Sequence, residues 1–375
     1  MSTALAESAL LEATTEAGPG SVTPSRFLHL GPDRIYNPLA HETLEQGQPE
    51  HSLIQGLLAG TLQADILVPE QRDSFVRRRW LATPEDDLSS RYYLRYVTLE
   101  AHTVCNQACY FCPVSMAPRE DYFMPTEVYE SIVSQLAAYR DTIEGVSMIN
   151  YNEPTLDRRF LDQIRCLKAA GLPPAVLTNG SGLSPERVNA ILEMGGLYYL
   201  SVNLSTLDRE RYRRDREADH LRVVLKNLDY LKDLPLAPQM EVVVLGPGDE
   251  THQRDFEEIT ARYAGSRLVV KYYEVMDRAG YLQIGLKPSK PHQKLCGCEN
   301  VGSRPLQHLH ITPHGKCILC CEDYDEYYDI GNLHESTLEE ILTGPKVALL
   351  RRWVYGLEEA PAGFMCRKCV FARTA

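Results

Sequence analysis

Short apolar segments alternate with longer amphipathic segments from about residue 92 to residue 273, and this alternation constrains the fold more than any other feature of the chain. The apolar segments are rich in Val, Ile, Leu and Tyr, as strands are, while the segments between them have the apolar spacing of helices. Strict alternation favours an α/β fold with a parallel sheet, because parallel strands need a long crossover between them. We therefore expect strands at residues 96–101, 145–151, 174–179, 197–205, 240–246 and 267–273.

Helices are expected between these strands. Ser184-Pro185-Glu186 is a typical helix start, and Gly171 and Gly195 are typical of helix ends. Because folds of this type carry their chemistry at the carboxyl ends of the strands, functional residues are expected there. The expected helices cover residues 125–141, 156–171, 184–195, 221–234 and 249–265.

Composition and charge exclude several classes of partner. The 375 residues include 51 acidic and 39 basic side chains, a formal net charge of −12, so a nucleic acid would be repelled. No run approaches the roughly 20 apolar residues that span a bilayer, and the first 20 residues lack the Lys or Arg of a secretory signal. We therefore expect a cytoplasmic protein that binds neither membranes nor nucleic acid. In that compartment, 11 cysteines indicate metal binding rather than disulfides.

Composition also divides the chain into four parts. Residues 1–24 are rich in Ala, Glu, Ser, Thr, Gly and Pro without an aromatic residue, which predicts a flexible tail. Residues 25–91 form an N-terminal extension with one strand-like and two helical segments, either a small docking module or a segment that packs on later parts of the chain. The alternating region occupies residues 92–284, and the cysteine-rich residues 285–375 form a small second domain.

A compact cysteine motif follows the first expected strand. Cys105, Cys109 and Cys112 form a C-x3-C-x2-C triplet, so one loop can supply three thiolates to one metal centre. Three ligands on a four-iron cube leave one iron open for a substrate or cofactor. The alternatives are a zinc site completed by a distant residue such as His102, or chance clustering.

With Phe111 before its last cysteine, this motif resembles the signature of radical S-adenosylmethionine (SAM) enzymes, and the resemblance extends over residues 92–375. It implies a partial (β/α)6 TIM barrel and a [4Fe-4S] cluster held by Cys105, Cys109 and Cys112. It also implies that the methionine group of SAM chelates the fourth iron, and that reductive cleavage of SAM gives a 5′-deoxyadenosyl radical.

Later strand ends resemble the SAM-binding motifs of the same family. Residues 150–154 (Asn-Tyr-Asn-Glu-Pro) occupy the place of the family's Gly-Gly-Glu-Pro, where backbone and carboxylate receive the methionine ammonium group; both glycines are replaced here. Ser205, beyond the fourth strand, either bonds the cofactor or caps the next helix. The residues implied to contact SAM are Phe111, Asn152, Glu153, Thr178, Asn179, Ser201 and Asn203.

Seven further cysteines lie between residues 296 and 369. Four dispersed thiolates that end in a C-x2-C pair can close a metal centre, and both zinc and iron–sulfur fit that spacing. The pattern resembles the SPASM/Twitch extension of radical SAM enzymes, which implies one auxiliary [4Fe-4S] cluster because the cysteine run of the two-cluster version is absent. The implied ligands are Cys298, Cys320, Cys366 and Cys369, with Cys296 as the alternative first ligand.

The remaining cysteines have no implied ligand role. Cys166 lies alone in an expected helix, while Cys317 and Cys321 are either packing residues or donors of a hydrogen atom to a substrate radical. Two interpretations are open for Glu322, Asp323 and Tyr324. Either these residues face a substrate, or they belong to an acidic loop that faces water. An expected strand carries alternating histidines, His308, His310 and His314.

The resemblance implies an oxidoreductase or isomerase that abstracts hydrogen from an unactivated carbon. The expected substrate is a ribosomally made peptide that is oxidised, cross-linked or epimerised in natural-product maturation. The alternatives are dehydrogenation or epimerisation of a small molecule or sugar, and a structural zinc-ribbon scaffold without catalysis. An external one-electron donor such as flavodoxin or ferredoxin is the implied protein partner.

Overall fold

The computed structural model describes residues 22–83, 89–282, 294–300 and 304–374. The chain divides into two compact units. The first unit comprises Met1–Tyr93, Lys290–Gln307 and Leu342–Ala375, and the second comprises Leu94–Ser289 and His308–Ile341. Most of the predicted flexible tail, residues 1–21, lies outside the described residues.

The N-terminal module, residues 22–83, is built from short strands and two helices. Strands β2, β3 and β4 form an antiparallel sheet in that order, and β1 pairs with β5. Leu44 of the sheet, Ile54 and Phe75 of the helices, and Trp80 beyond them pack in one buried cluster. The elements are β1 (Thr23–Pro24), β2 (His29–Leu30), β3 (Arg34–Asn37), β4 (Glu42–Glu45), α1 (Pro49–Leu58), a 3₁₀ turn (Ala64–Ile66), α2 (Pro69–Arg77) and β5 (Leu81–Ala82).

The second unit contains the six strands that the sequence predicts. They lie side by side in chain order and every neighbouring pair is parallel. The α/β prediction is therefore confirmed, with strand ends that lie within four residues of those expected. The strands are β6 (Tyr96–Leu99), β7 (Gly145–Ser147), β8 (Pro174–Thr178), β9 (Tyr199–Asn203), β10 (Gln239–Gly246) and β11 (Leu268–Glu274).

Six helices lie between these strands, two of them (α6 and α7) in the connection from β9 to β10, and five of the six were expected. The exception is α6, whose sequence RERYRRDR has one apolar residue, Tyr212, and therefore lacks the apolar spacing of a helix. Asp208 caps α6 by accepting a hydrogen bond from the Arg211 amide at 2.9 Å, and Tyr212 is fully buried. The helices are α3 (Thr126–Leu136), α4 (Phe160–Ala169), α5 (Pro185–Glu193), α6 (Arg209–Arg216), α7 (Leu221–Leu231) and α8 (Glu250–Tyr263).

The C-terminal part of the chain contributes to both units. Strand β13 adds to the sheet of the second unit in parallel with β6, and β14 and β15 extend it in antiparallel fashion. His308 and His310 lie in β13, but His314 lies in the following turn, so its predicted strand position is wrong. The elements are β12 (Leu295–Cys298), α9 (Arg304–Gln307), β13 (His308–Ile311), β14 (Lys316–Ile318), β15 (Asp329–Asn332), α10 (Leu338–Leu342), α11 (Pro345–Val354), a 3₁₀ turn (Met365–Arg367) and β16 (Ala372–Thr374).

Within the first unit, the N-terminal module shares its packing with the C-terminal segments. The rings of Phe27 and Tyr355 meet edge to face at 4.5 Å, and Arg373 Nη1 donates to the Leu28 carbonyl at 2.8 Å. Gln307 donates to the Pro38 carbonyl at 2.8 Å. The module therefore packs on later parts of the chain. Among the described residues, no helix has both the length and the apolar character needed to cross a bilayer.

Candidate cofactor site

The cysteine triplet lies in a loop that leaves the carboxyl end of β6. Cys109 is buried, and Cys105 and Cys112 are half-buried. Burial raises the pKa of Cys105 to about 12 and that of Cys112 to about 11, because a thiolate loses its hydration there. A bound metal reverses this preference by supplying the positive charge that deprotonated thiols need. A donor set made only of sulfur suits an iron–sulfur cluster.

Helix α6 holds this loop through backbone hydrogen bonds. The Ala108 amide donates to the Arg216 carbonyl, and the Tyr110 amide donates to the Asp215 carbonyl, both at 3.0 Å. These bonds use carbonyl groups at the carboxyl end of the helix, which lack partners inside it. The unpredicted helix therefore fixes the position of the middle of the cysteine loop.

The side chain of Arg216 connects the loop to the end of β9. Its Nη1 donates to Gln107 Oε1 at 3.1 Å and lies 3.7 Å from Cys109 Sγ. Its Nη2 donates to Asn203 Oδ1 at 2.7 Å and to Ser205 Oγ at 2.8 Å. Arg216 is only 2% exposed. Sequence reasoning missed this residue, and the run of arginines in residues 209–216 was the one available signal.

Glu153 ties the ends of β7 and β8 together. Its Oε1 accepts hydrogen bonds from two threonine hydroxyls, Thr155 Oγ1 and Thr178 Oγ1, at 2.6 Å each. Its Oε2 accepts from the Asn179 amide at 2.7 Å, and its own amide donates to the Val104 carbonyl at 2.9 Å. The carboxylate is 1% exposed and organises the segment ahead of Cys105.

Amide side chains continue this connection to the cysteine loop. Asn179 Nδ2 donates to Asn106 Oδ1 at 2.8 Å, and Asn106 Nδ2 donates to Ser181 Oγ at 3.1 Å. Asn152 Oδ1 accepts from the Asn150 amide at 3.1 Å. Of the residues expected to contact SAM, the structure therefore brings Glu153, Thr178 and Asn179 together at one strand edge beside the loop.

The other expected SAM contacts lie around Arg216. Phe111 is buried, and the Arg216 guanidinium lies 5.4 Å from its ring centre. Ser201 is buried on β9, two residues from Asn203, whose Oδ1 accepts from Arg216. Because Asp208 caps α6, the alternative that Ser205 is the helix cap is wrong.

His102 has a structural role beside the loop. Its Nδ1 accepts a hydrogen bond from the Val104 amide at 3.1 Å, and its Nε2 lies 3.3 Å from Asn152 Nδ2. Burial lowers the pKa of His102, so the ring is neutral at pH 7. Both ring nitrogens have partners, which disfavours the zinc site completed by His102. Within the described ranges, no three His, Cys, Asp or Glu side chains form a set that could hold a single metal ion.

Residues 319–328, here named the bridging loop, join three parts of the second unit. Tyr324 donates its hydroxyl to the Ala117 carbonyl at 2.6 Å, and the Tyr151 hydroxyl donates to the Cys321 carbonyl. Arg278, beyond β11, donates to Glu322 Oε1 at 3.2 Å. The loop therefore contacts segments that follow β6, β7 and β11.

The first half of the bridging loop is largely buried, whereas Tyr327 in its second half is 76% exposed. Glu322 and Asp323 are each 5% exposed and Tyr324 is 7% exposed, so the interpretation as a solvated acidic loop is wrong. Besides the pair Arg278–Glu322, a second ion pair lies beside the loop. In it, Arg119 donates to both carboxylate oxygens of the fully buried Glu100, at 2.6 and 3.1 Å. Charged pairs of this kind stay buried only when their hydrogen bonds are satisfied.

The C-terminal cysteines are divided between the units. In the first unit, β12 carries Cys298 and pairs with β16 so that Cys298 faces Ala372, whose amide donates to the Cys369 carbonyl at 3.1 Å. Cys366 lies in the 3₁₀ turn just before Cys369. Cys320 belongs to the second unit and opens the bridging loop.

The cysteines without an implied ligand role occupy different surroundings. Cys317 is fully buried in β14, Cys321 is half-buried in the bridging loop, and Cys166 is half-buried on α4. Cys296 is half-buried on β12, two residues before Cys298. Of these, Cys321 lies closest in the chain to the buried charges described above.

Sequence comparison identifies the family. Residues 99–262 match the model of the radical SAM superfamily, and residues 298–370 match that of an iron–sulfur cluster-binding domain, SPASM. The chain therefore belongs to the radical SAM superfamily. It has a radical SAM domain followed by a SPASM domain, and these domains imply a SAM-binding [4Fe-4S] cluster, an auxiliary cluster and SAM itself.

The curated relatives match part of the chain. GTP 3′,8-cyclase of Chlorobaculum tepidum is 26% identical over 184 residues, which is 48% of this chain and 53% of that protein. The S-adenosyl-L-methionine-dependent 2-deoxy-scyllo-inosamine dehydrogenase of Niallia circulans is 28% identical over 103 residues, 26% of this chain and 40% of that protein. The chain thus spans about half the length of these relatives or less.

Solved structures share the fold at low sequence identity. SuiB of Streptococcus suis, bound to its precursor peptide SuiA, has a TM-score of 0.58 at 13% identity, covering 88% of this chain and 90% of that one. BtrN, in complex with AdoMet and 2-DOIA, has a TM-score of 0.52 at 18% identity, covering 75% of this chain and 94% of that one.

Proposed function

We propose that this radical SAM enzyme abstracts hydrogen from an unactivated carbon of a ribosomally made peptide, which is then oxidised, cross-linked or epimerised. The observation that carries the proposal is the N-terminal module, residues 22–83, which has its own small sheet and exposed apolar residues. When bound, the first cluster and SAM supply the 5′-deoxyadenosyl radical that removes the hydrogen atom.

The residues proposed to hold the cofactors follow from the site. Cys105, Cys109 and Cys112 hold the first cluster, on a loop fixed by α6 and by Glu153. The SAM-contacting role remains proposed for the strand-end residues and for Phe111. The proposed auxiliary ligands are Cys298, Cys320, Cys366 and Cys369. The chain's own contribution is to orient the reacting carbon and to exclude water from it.

Two observations support a peptide substrate. Residues 92–375 make up about three quarters of the chain, so a match that covers 88% of it includes residues of the N-terminal part. The protein in that match, SuiB, is bound to a precursor peptide. In addition, Ile66 and Val68 of the module are 55% and 51% exposed, and a bound peptide could cover such apolar side chains.

The test uses point variants of the full chain, because deleting the module would expose its packing against Tyr355 and Arg373. Peptides encoded beside the gene are offered to the reconstituted enzyme, and deuterium transfer from labelled peptide into 5′-deoxyadenosine is measured. The variant I66E/V68E should lose most peptide turnover and retain SAM cleavage. Val223→Glu, an exposed apolar residue on α7, is the matched control. Unchanged turnover by I66E/V68E contradicts the proposal for the module.

A second candidate is dehydrogenation or epimerisation of a small polar molecule. Two ion pairs with buried carboxylates and partly exposed arginines, Glu100–Arg119 and Glu322–Arg278, favour it, because their polar atoms suit hydroxyl or amino groups. One relative acts on an aminocyclitol by its name, 2-deoxy-scyllo-inosamine dehydrogenase. The same assay with deuterium-labelled small polar metabolites tests this candidate. Deuterium transfer into 5′-deoxyadenosine that is equal in the wild type and in I66E/V68E would favour it over the peptide.

An iron count separates both candidates from the structural zinc scaffold. After anaerobic reconstitution, two clusters require about eight irons per chain, whereas the scaffold predicts zinc and no 5′-deoxyadenosine. The same preparation tests the electron donor, because flavodoxin and ferredoxin can each replace a chemical reductant in the SAM-cleavage assay. Absence of iron loading would overturn the whole proposal.

A further inference from the structure

We propose that the buried guanidinium of Arg216 raises the reduction potential of the first cluster by stabilising its reduced form. The inference rests on the proposed role of Cys109 as a ligand of that cluster. Arg216 is a positioning and tuning residue in this view, because it acts through its contact with Cys109, a proposed ligand of the cluster.

Arg216 is a buried cation without a buried anion of its own. The acceptors of its hydrogen bonds are the neutral side chains of Gln107, Asn203 and Ser205. Among the described residues, no carboxylate forms an ion pair with Arg216, although this residue is only 2% exposed. An unpaired charge in such a place is costly unless an opposite charge lies nearby.

The nearest candidate for that opposite charge is sulfur. Arg216 Nη1 lies 3.7 Å from Cys109 Sγ, within the range of a weak hydrogen bond to sulfur. The guanidinium also lies 5.4 Å from the ring centre of Phe111 and 4.9 Å from that of Tyr212, so aromatic faces cover it. Water is thereby kept from the contact, and electrostatic interactions are stronger in such surroundings.

The direction of the effect follows from charge. Reduction adds one electron from an external low-potential donor to a centre that already carries thiolate charge, and no atom is transferred. A fixed positive charge favours the more negative state, so it raises the potential. Hydrogen bonds to cluster sulfurs act in the same direction.

A neighbouring arginine provides the matched control. Arg211 lies on the same helix, but it donates to both carboxylate oxygens of Asp255, at 2.5 and 2.7 Å, and is more exposed. Its charge is neutralised by Asp255, and in the part of the chain that the structure describes its hydrogen bonds do not reach the cysteine loop. Replacing Arg211 therefore perturbs α6 without changing the charge beside Cys109.

The experiment is a redox titration of the reconstituted full chain, followed by electron paramagnetic resonance, with the auxiliary cluster as an internal reference. We expect R216Q to lower the potential of the first cluster by at least the equivalent of a tenfold change in the reduction equilibrium, about 59 mV for one electron. R216K should retain most of the wild-type value, and R211Q all of it. The auxiliary signal should not shift in any variant.

A second variant keeps the test decisive if R216Q fails to load iron. Q107E leaves Arg216 in place but puts a carboxylate at the position 3.1 Å from its Nη1. It should lower the potential in the same direction by neutralising the guanidinium. An unchanged potential in whichever of R216Q and Q107E loads the cluster overturns the inference. Failure of the wild type to form the first cluster would instead overturn the proposed function.

Discussion

The two cysteine groups of the chain are built in different ways. The first group, Cys105, Cys109 and Cys112, lies within eight residues and is fixed by polar contacts to the ends of several strands of one sheet. Of the members of the second group within the first unit, Cys298 lies 68 residues before the C-x2-C pair Cys366 and Cys369. The chemistry of a local motif can be recognised from its spacing alone. The ligands of a dispersed site are brought together only by tertiary packing.

The largest expected effect comes from removing one cysteine group or the other, because the two groups have different functions. The variant C105A/C109A/C112A should lose about four of about eight irons and all 5′-deoxyadenosine formation, since no open iron remains for SAM. The variant C298A/C366A/C369A should also lose about four irons but retain reductive SAM cleavage while losing substrate turnover. Iron analysis and chromatography of 5′-deoxyadenosine measure both outcomes. Any 5′-deoxyadenosine from the first variant would contradict the assignment.

The contacts behind the first group can be weakened without removing a cysteine. Glu153→Gln replaces one carboxylate oxygen with an NH2 group. This group then faces the backbone amide of Asn179 or that of Thr155, and because both amides are donors, one hydrogen bond is lost. Losing one such buried hydrogen bond costs about 1 to 3 kcal/mol, so SAM should bind about 10- to 100-fold more weakly. Equilibrium binding of SAM to the reconstituted protein measures this.

The control for that substitution is Glu144→Gln. Glu144 precedes β7, at the opposite end of the sheet, and accepts hydrogen bonds from Arg95 and Tyr96. Its replacement should leave SAM affinity unchanged. If both variants bind SAM equally well, the carboxylate of Glu153 does not organise the site as inferred.

The unit that holds most of the second group should be sensitive to acid. Burial and the nearby Arg373 lower the pKa of His29 to about 4, below the ordinary value of 6.5. The unfolded chain therefore takes up the proton first, so stability is complete above pH 6.5 and falls as the pH drops towards 4. Between pH 6.5 and pH 5, the free energy of unfolding falls by about 2 kcal/mol.

His29→Gln should remove this part of the pH dependence. Urea unfolding of the chain at pH 6.5 and pH 5 measures it, and His334→Gln, an exposed histidine, should behave as the wild type does. An equal loss of stability in His29→Gln and the wild type would show that His29 stays solvated. Because Arg373 lies on β16, which pairs with β12, the effect belongs to the segments around Cys298.

The sequence predicts the strands well because their apolar runs and the helices between them have clear periodicity. It misses α6, since Tyr212 is the one apolar residue in that helix and tertiary contacts decide its structure. Arg216 was missed with it. The burial of Glu322 could not be predicted either, because its partner Arg278 is 44 residues away. Spacing reveals ligands, while the residues that position them depend on the fold.

The smallest expected effect concerns two cysteines on one strand. Cys296 and Cys298 both lie on β12, but a register irregularity between Leu295 and Gly297 separates them, and of the two only Cys298 is paired with a residue of β16. Cys296→Ala should therefore keep about eight irons, whereas Cys298→Ala should keep about four. Iron analysis of the two variants decides between them. The opposite result would make Cys296 the ligand.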